Sequence, residues 1–156
     1  NPAALLAIRE ADVLVLAPGD LYTSLVPNFL VYGGSEAIRK SHAQKIQISN
    51  LMNKVQHTKG FTVRDLAAAI ESYTGVPMDK IIYNNKLPSK QLLKKYSRQG
   101  EEAVKVDKNI PKDRFVGADL ISERIKSAQK GDALSRSFVR HDSAKLAKAI
   151  ARIIGR

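Results

Sequence analysis

The chain has no cysteine and no tryptophan, and aromatic residues make up only 6% of its 156 positions. Without cysteine there is no disulfide, no thiolate metal site and no cysteine nucleophile, a composition that suits a cytoplasmic protein. No apolar run approaches the roughly 20 residues that a membrane-crossing helix needs, so no membrane insertion is expected. The N-terminal segment lacks a basic stretch leading into an apolar core, so no signal peptide is expected. Walker-type phosphate loops, dinucleotide fingerprints and nucleophile elbows are absent. His42, His57 and His141 share no metal-ligand spacing. Neither a catalytic group nor a metal site is therefore expected from motifs.

Acidic residues are also few, 15 against 26 Lys and Arg, which leaves a net charge of +11. The excess is densest in Lys86, Lys90, Lys94, Lys95, Arg98, Lys105, Lys108, Lys112 and Arg114. Such a face attracts phosphates, nucleic acid or anionic surfaces. These residues are spread over helix and loop positions with few aromatics between them and no nucleic-acid motif, so a solvated basic face is the expectation. Hydrophobic content of 44% and charge of 26% are otherwise ordinary for a folded domain. The chain begins at Asn1 rather than Met, which suggests a fragment or a processed product.

One stretch organises the rest. Val13 to Ala17 is a short apolar run that ends at Pro18-Gly19; the polar loop Asp20 to Ser24 follows, then an apolar segment carrying Pro27. This is the pattern of a buried parallel strand entering a loop and then a helix. Ligands of open α/β sheets bind outside the carboxyl ends of strands, where such a loop lies. Gly19 lets a ligand approach the backbone, and Thr23 and Ser24 offer hydroxyls and free amides. A plain strand-to-helix turn with a cap has the same spacing.

The remaining elements follow from periodicity and caps. Asn1-Pro2 predicts a helix through about Arg9. Strands are expected over 12–17, with both faces buried, over 45–49 with alternating character, and over 79–83. Ser35 is expected to cap a helix to Ser41. Thr62 and Asp65 predict a capping box for a helix with Val63, Leu66, Ala67 and Ile70 inward, stopped by Gly75. A further amphipathic helix is expected over 88–98, and short strands over 103–106 and 115–121. Residues 122–137 fit either an insertion or a frayed helix. Asp142 caps a last helix over 143–154, with Leu146, Ala147, Ile150 and Ile154 on one face. Strands alternating with helices make the class α/β with a mostly parallel sheet.

Parallel strands would bring three polar strand ends to one sheet edge: Asp20 to Ser24, Asn50 to Asn53, and Asn84-Asn85. Asparagines there can bond a ligand hydroxyl or amide, or cap a neighbouring loop. Three together point to a site.

The blocks Asp12 to Val31, Glu36-Ala37-Ile38 with Ser41, Asn50-Leu51-Met52, Thr58, Gly60 and Asp65, and Arg140-His141-Asp142 with Lys145-Leu146-Ala147 carry a specific resemblance. In sequence and spacing they are similar to the family uniting 2-phospho-L-lactate transferase with the bacterial gluconeogenesis factor (YvcK-like proteins). The resemblance implies a Rossmann-like three-layer fold and the C-terminal half of a larger single domain. The glycine-rich phosphate loop would lie in the N-terminal half, which this chain lacks. It implies a cytoplasmic protein with a nucleotide-linked ligand. In the gluconeogenesis-factor branch that is a UDP-sugar, with a role in carbon metabolism and in cell-wall and cell-shape control. In the transferase branch a guanosine diphosphate-linked lactate is the donor, a deazaflavin alcohol the acceptor, and Mg²⁺ is required. Leu21-Tyr22-Thr23-Ser24 favours the first branch.

The chain departs from that pattern where His57 replaces a glutamate, Lys59 an aspartate, Leu66 a histidine and Ala17 a glycine. Two loop carboxylates that could serve Mg²⁺ or proton transfer are thereby missing, which argues against transfer chemistry. Lys59 could meet a diphosphate as a point charge or stand solvated in the loop. The expectation is a regulatory binding protein rather than an enzyme. Gly19, Asp20, Tyr22, Thr23, Ser24 and Asn28 would form one wall of its site. Asn50 and the loop of Thr58, Lys59, Gly60 and Phe61 would stand beside them. No catalytic residue, no metal ligand and no certain cofactor are assigned. A homo-oligomer stays open, and the runner-up readings are the transferase and a basic nucleic-acid-binding module.

Overall fold

The computed structural model describes residues 1–122 and 139–155. The expected insertion or frayed helix over 122–137 lies, apart from Ser122, outside the described residues. In chain order come α1 (Pro2–Glu10), β1 (Val13–Leu16), a π-helical turn (Leu21–Leu25), α2 (Val26–Leu30), α3 (Gly34–Lys40) and β2 (Gln44–Ile48). They are followed by β3 (Met52–Asn53), α4 (Val63–Thr74), β4 (Lys80–Asn84), α5 (Lys90–Ser97), β5 (Glu102–Ala103), β6 (Phe115–Ala118) and α6 (Ser143–Ile153).

β1, β2, β4 and β6 form a four-stranded sheet in that order, parallel throughout. Because side chains alternate along each strand, the sheet has two separate apolar faces. One face sets Leu16, Ile81 and Phe115 against Phe29, Ile38, Leu66 and Ile70 of the helices α2, α3 and α4. The other sets Ile46, Ile82 and Ala118 against Leu146, Ala149 and Ile150 of α6. The result is the expected three-layer Rossmann-like α/β arrangement. β3 and β5 form a separate two-residue antiparallel ladder beyond the end of β2.

Local chemistry explains most elements. Asn1 caps α1, its side chain accepting from the Ala3 amide at 3.0 Å, with proline at the first helical position. In α4 the Thr62 hydroxyl accepts from the Asp65 amide at 3.2 Å, and Asp65 accepts from the Thr62 amide at 2.8 Å. Gly75, at φ +74°, closes α4 in the left-handed conformation. Asp142 caps α6.

Several expectations are corrected. β1 is an edge strand, so it is not buried on both faces: Val15 is 42% exposed. β2 lies between two neighbours under helices, so its polar residues are inside: Gln47 is 1% exposed, and the Lys45 ammonium donates to the Ser41 and Ala43 carbonyls behind α3. Ser35 is not a cap but sits within α3, its hydroxyl donating to the carbonyls of Phe29 and Tyr73. Gly33 takes the cap position at φ +79°. On α6 the inward alanine is Ala149; Ala147 is exposed.

Candidate functional site at the carboxyl ends of the strands

All four parallel strands deliver their carboxyl ends to one edge of the sheet, so the polar segments that follow them converge. After β1, Pro18-Gly19 leads into the π-helical turn, an uncommon form found mostly as single turns, frequently at functional sites. After β2 comes Asn50, whose side-chain amide donates to the Gly19 carbonyl at 2.8 Å. After β4 come Asn84, Asn85 and Lys86. After β6, Asp119 precedes a bridge between Ile121 and His141. That bridge, with Asp142 N–H donating to the Leu120 carbonyl at 2.8 Å, lays the segment before α6 across the same edge.

Several cavities open there, two of them beside Asn50. The larger, about 410 Å³, is lined by Asn50, Asn84, Asn85, Lys86 and Lys105 among apolar side chains such as Leu51, Val63 and Val104. The second, about 300 Å³, is lined by Pro18, Gly19, Asn50, Lys54, Arg140 and His141 among others. Asn50 and Leu51 belong to both.

The expected site residues divide accordingly. Gly19 and Asn50 line the second cavity and are tied to one another. Asp20 caps the π-helical turn and lies 3.4 Å from His57 Nδ1, whose ring meets the edge of Tyr22 at 6.1 Å between centroids. Thr23 and Ser24 are exposed, but their amides are not free: Thr23 N–H donates to the Asp20 carboxylate and Ser24 N–H to the Asp20 carbonyl. Asn28 spends its amide on the Ser24 carbonyl at 2.6 Å. Thr58 is buried, and its hydroxyl accepts from the Lys54 amide at 2.9 Å, closing the loop. Lys59 is exposed without an ion pair among the described residues. Gly60 N–H donates to Glu102, and the Phe61 carbonyl accepts from Asn53 while its ring packs on the core. Tyr22, Thr23, Ser24, Asn28 and the 58–61 loop line neither cavity.

Asn84 and Asn85, one of the three polar strand ends expected to gather at this edge, line the larger cavity. Lys86 and Lys105 in the larger cavity, and Arg140 and His141 in the smaller, were not in the expected set. A signal for the last two existed, since Arg140-His141-Asp142 was one of the blocks carrying the resemblance. What the sequence did not show is that the bridge to Ile121 brings them to this edge.

Electrostatics sharpen the picture. Asp119 Oδ2 lies 3.0 Å from Lys145 Nζ and 3.2 Å from Lys86 Nζ. The hydrogen bond from Lys145, joined by those from Lys86 and the Ile121 amide, holds its carboxyl below the usual aspartate range. Burial pushes the His141 imidazole down, opposed by a hydrogen bond with the Ser49 backbone, so at neutral pH it is an uncharged ring. The larger cavity has ammonium and amide groups in its lining and no carboxylate. Such a lining offers cationic and amide donors that an anionic, hydrogen-bonding group could use.

The parallel sheet, its two helical layers and the polar segments gathered at the strand ends define a Rossmann-like α/β protein. More particularly, the chain belongs to the CofD family: the family model described as 2-phospho-L-lactate transferase CofD matches residues 1–125. It is 37% identical over 145 residues to the gluconeogenesis factor of Halalkalibacterium halodurans, covering 92% of this chain and 42% of that protein. With the gluconeogenesis factor of Bacillus subtilis it shares 31% over 154 residues, covering 98% and 46%. A crystal structure of a UPF0052-family protein from Bacillus halodurans superposes with a TM-score of 0.79 at 33% identity, over 95% of this chain and 45% of that one. The chain thus spans less than half the length of these relatives.

The transferase description raises the question of Mg²⁺, and the described residues do not fit it. Mg²⁺ favours one or two free carboxylates with water and phosphate oxygens. Here Asp119 is already shared by two ammonium groups, and Asp20 is engaged in its cap and beside His57.

Proposed function

We propose that this chain is part of a cytoplasmic regulatory protein of the gluconeogenesis-factor type that binds a nucleotide sugar, a UDP-sugar in particular, and acts in carbon metabolism and cell-shape control. The observation that carries the reading is the 410 Å³ cavity at the strand ends, with Asn50, Asn84, Asn85, Lys86 and Lys105 around it and no carboxylate in its lining. Ammonium groups suit a diphosphate, the amide of Asn85 suits a base or sugar, and the aliphatic wall suits a ring face. The names of the relatives support the same branch. Titration calorimetry of the intact protein with UDP-N-acetylglucosamine and UDP-glucose tests it. Saturable heat that Asn85→Leu abolishes is expected; no heat with either compound would remove the reading.

The family description favours a second reading, a phospholactate-type transferase. Formation of product from a guanosine-linked donor and a deazaflavin acceptor would establish it. The engaged state of Asp20 and Asp119 speaks against it.

A further inference from the structure

We propose that Lys86 is the residue that takes the ligand's phosphate and that Asp119 is its tether, holding the ammonium beside the cavity until an anion draws it in. The inference rests on reading this edge as the ligand site, and it assigns the site's anion contact and the device that regulates it.

The backbone at Lys86 is fixed while its side chain is not. Asn84, at the end of β4, donates its side-chain amide to the Lys86 carbonyl and accepts from the Leu120 amide at 3.1 Å. The loop is thereby pinned to the chain leaving β6. The Asn84 amide is spent on this joint rather than on a ligand. Beyond the joint, the Lys86 side chain is 60% exposed and long enough to pivot. It lines both the 410 Å³ cavity and a neighbouring one of about 260 Å³, in whose lining Asp119 also stands. The lysine therefore stands at the wall between the ligand cavity and its tether.

Charge supplies the reason to move. Lys86 and Lys145 both reach the same oxygen, Asp119 Oδ2, and two cations on one carboxylate leave a positive charge in excess. Lys145 is the better anchored of the two: it also donates to the Ile121 carbonyl at 3.1 Å, and its side chain is 33% exposed. Among the described residues Lys86 makes no such second side-chain contact, and it is the one that can leave. A phosphate group in the larger cavity offers it a partner of higher charge, and Asp119 remains neutralised by Lys145. No bond is made or broken. The tether lowers the affinity of every anion that uses Lys86 by the same factor, because each must outcompete Asp119, so only anions with a strong intrinsic hold bind at low concentration.

The test is calorimetric titration of the intact protein with inorganic pyrophosphate at low salt, run beside the UDP-glucose titration. Lys86→Met is expected to weaken pyrophosphate binding at least tenfold. Asp119→Asn, which keeps the shape but releases the lysine, is expected to tighten it severalfold. In the Lys86→Met background Asp119→Asn should have no effect. Both positions are partly exposed, and a thermal melt confirms that each variant is folded. Pyrophosphate binding that is absent from the wild type, or unchanged in Lys86→Met, overturns the inference. So does an equal gain from Asp119→Asn with and without Lys86. Pyrophosphate binding that depends on Lys86 without any heat from UDP-glucose leaves the inference standing and removes only the nucleotide-sugar reading.

Discussion

The side-chain amide of Asn50 donates to the carbonyl of Gly19 at 2.8 Å, joining the chain leaving β2 to the chain leaving β1. This bond ties the two strand ends together, and Asn50 lines the 410 Å³ and the 300 Å³ cavities of the edge. Asn50→Asp removes the donor and sets a carboxylate against a carbonyl beside both cavities. The expected outcome is a loss of about 1–3 kcal/mol, read from urea denaturation, together with weakened binding of UDP-glucose.

Gly34 allows a close crossing of helices rather than a special backbone angle. A Cβ built there would stand 2.7 Å from the Asn28 carbonyl oxygen, which is backbone and cannot rotate away. Gly34→Ala should force α2 and α3 apart at a cost of about 1–3 kcal/mol. Chemical denaturation measures it, and a loss near zero would show that the helices shift freely.

The capping box of α4 is the strongest local signal in the chain. Thr62→Ala removes the oxygen that accepts from the Asp65 amide, and about 1 kcal/mol of stability with it. Thr62→Ser, which keeps that oxygen, should recover most of the loss in the same assay.

Two groups give stability a pH dependence of the same sign. Asp119 has a folded pKa below its ordinary value, so its contribution is present above about pH 4 and is lost as pH falls through the folded pKa. His141 also has a lowered pKa, so the unfolded chain binds its proton first, and stability begins to fall below about pH 6.5. Unfolding midpoints should therefore decline in two steps on acidification. His141→Gln should flatten the upper step, and Asp119→Asn the lower one.

Features set by local chemistry were legible in the sequence. The caps of α1, α4 and α6 sit on the residues that read as caps, because the contacts involved reach only a few positions along the chain. The α/β class was legible for the same reason. Strand environment was not, because it depends on order within the sheet. Val13 to Leu16 reads as a run buried on both faces yet became an edge, while Lys45 to Ser49, of alternating character in sequence, became an inner strand with Gln47 and Ser49 buried. The β3–β5 ladder is two residues long, too short for any periodicity to show. At the strand ends, Gly19 and Asn50 stand at a cavity, a placement legible because strand ends punctuate the sequence. The Thr58 hydroxyl closes its own loop, and in sequence such a threonine looks the same as one that faces a ligand. His141 needed the bridge to Ile121, a pairing between segments far apart in the chain.

The position of β1 has a colloidal consequence. Among the described residues nothing pairs with its outer side, and Val13 to Leu16 offers neither a charge nor a proline to discourage a visitor. Bare apolar edges of this kind are templates for strand addition by another chain. At high concentration this segment on its own should accordingly self-associate edge to edge, and a lysine in place of the half-exposed Val15 should keep it dispersed.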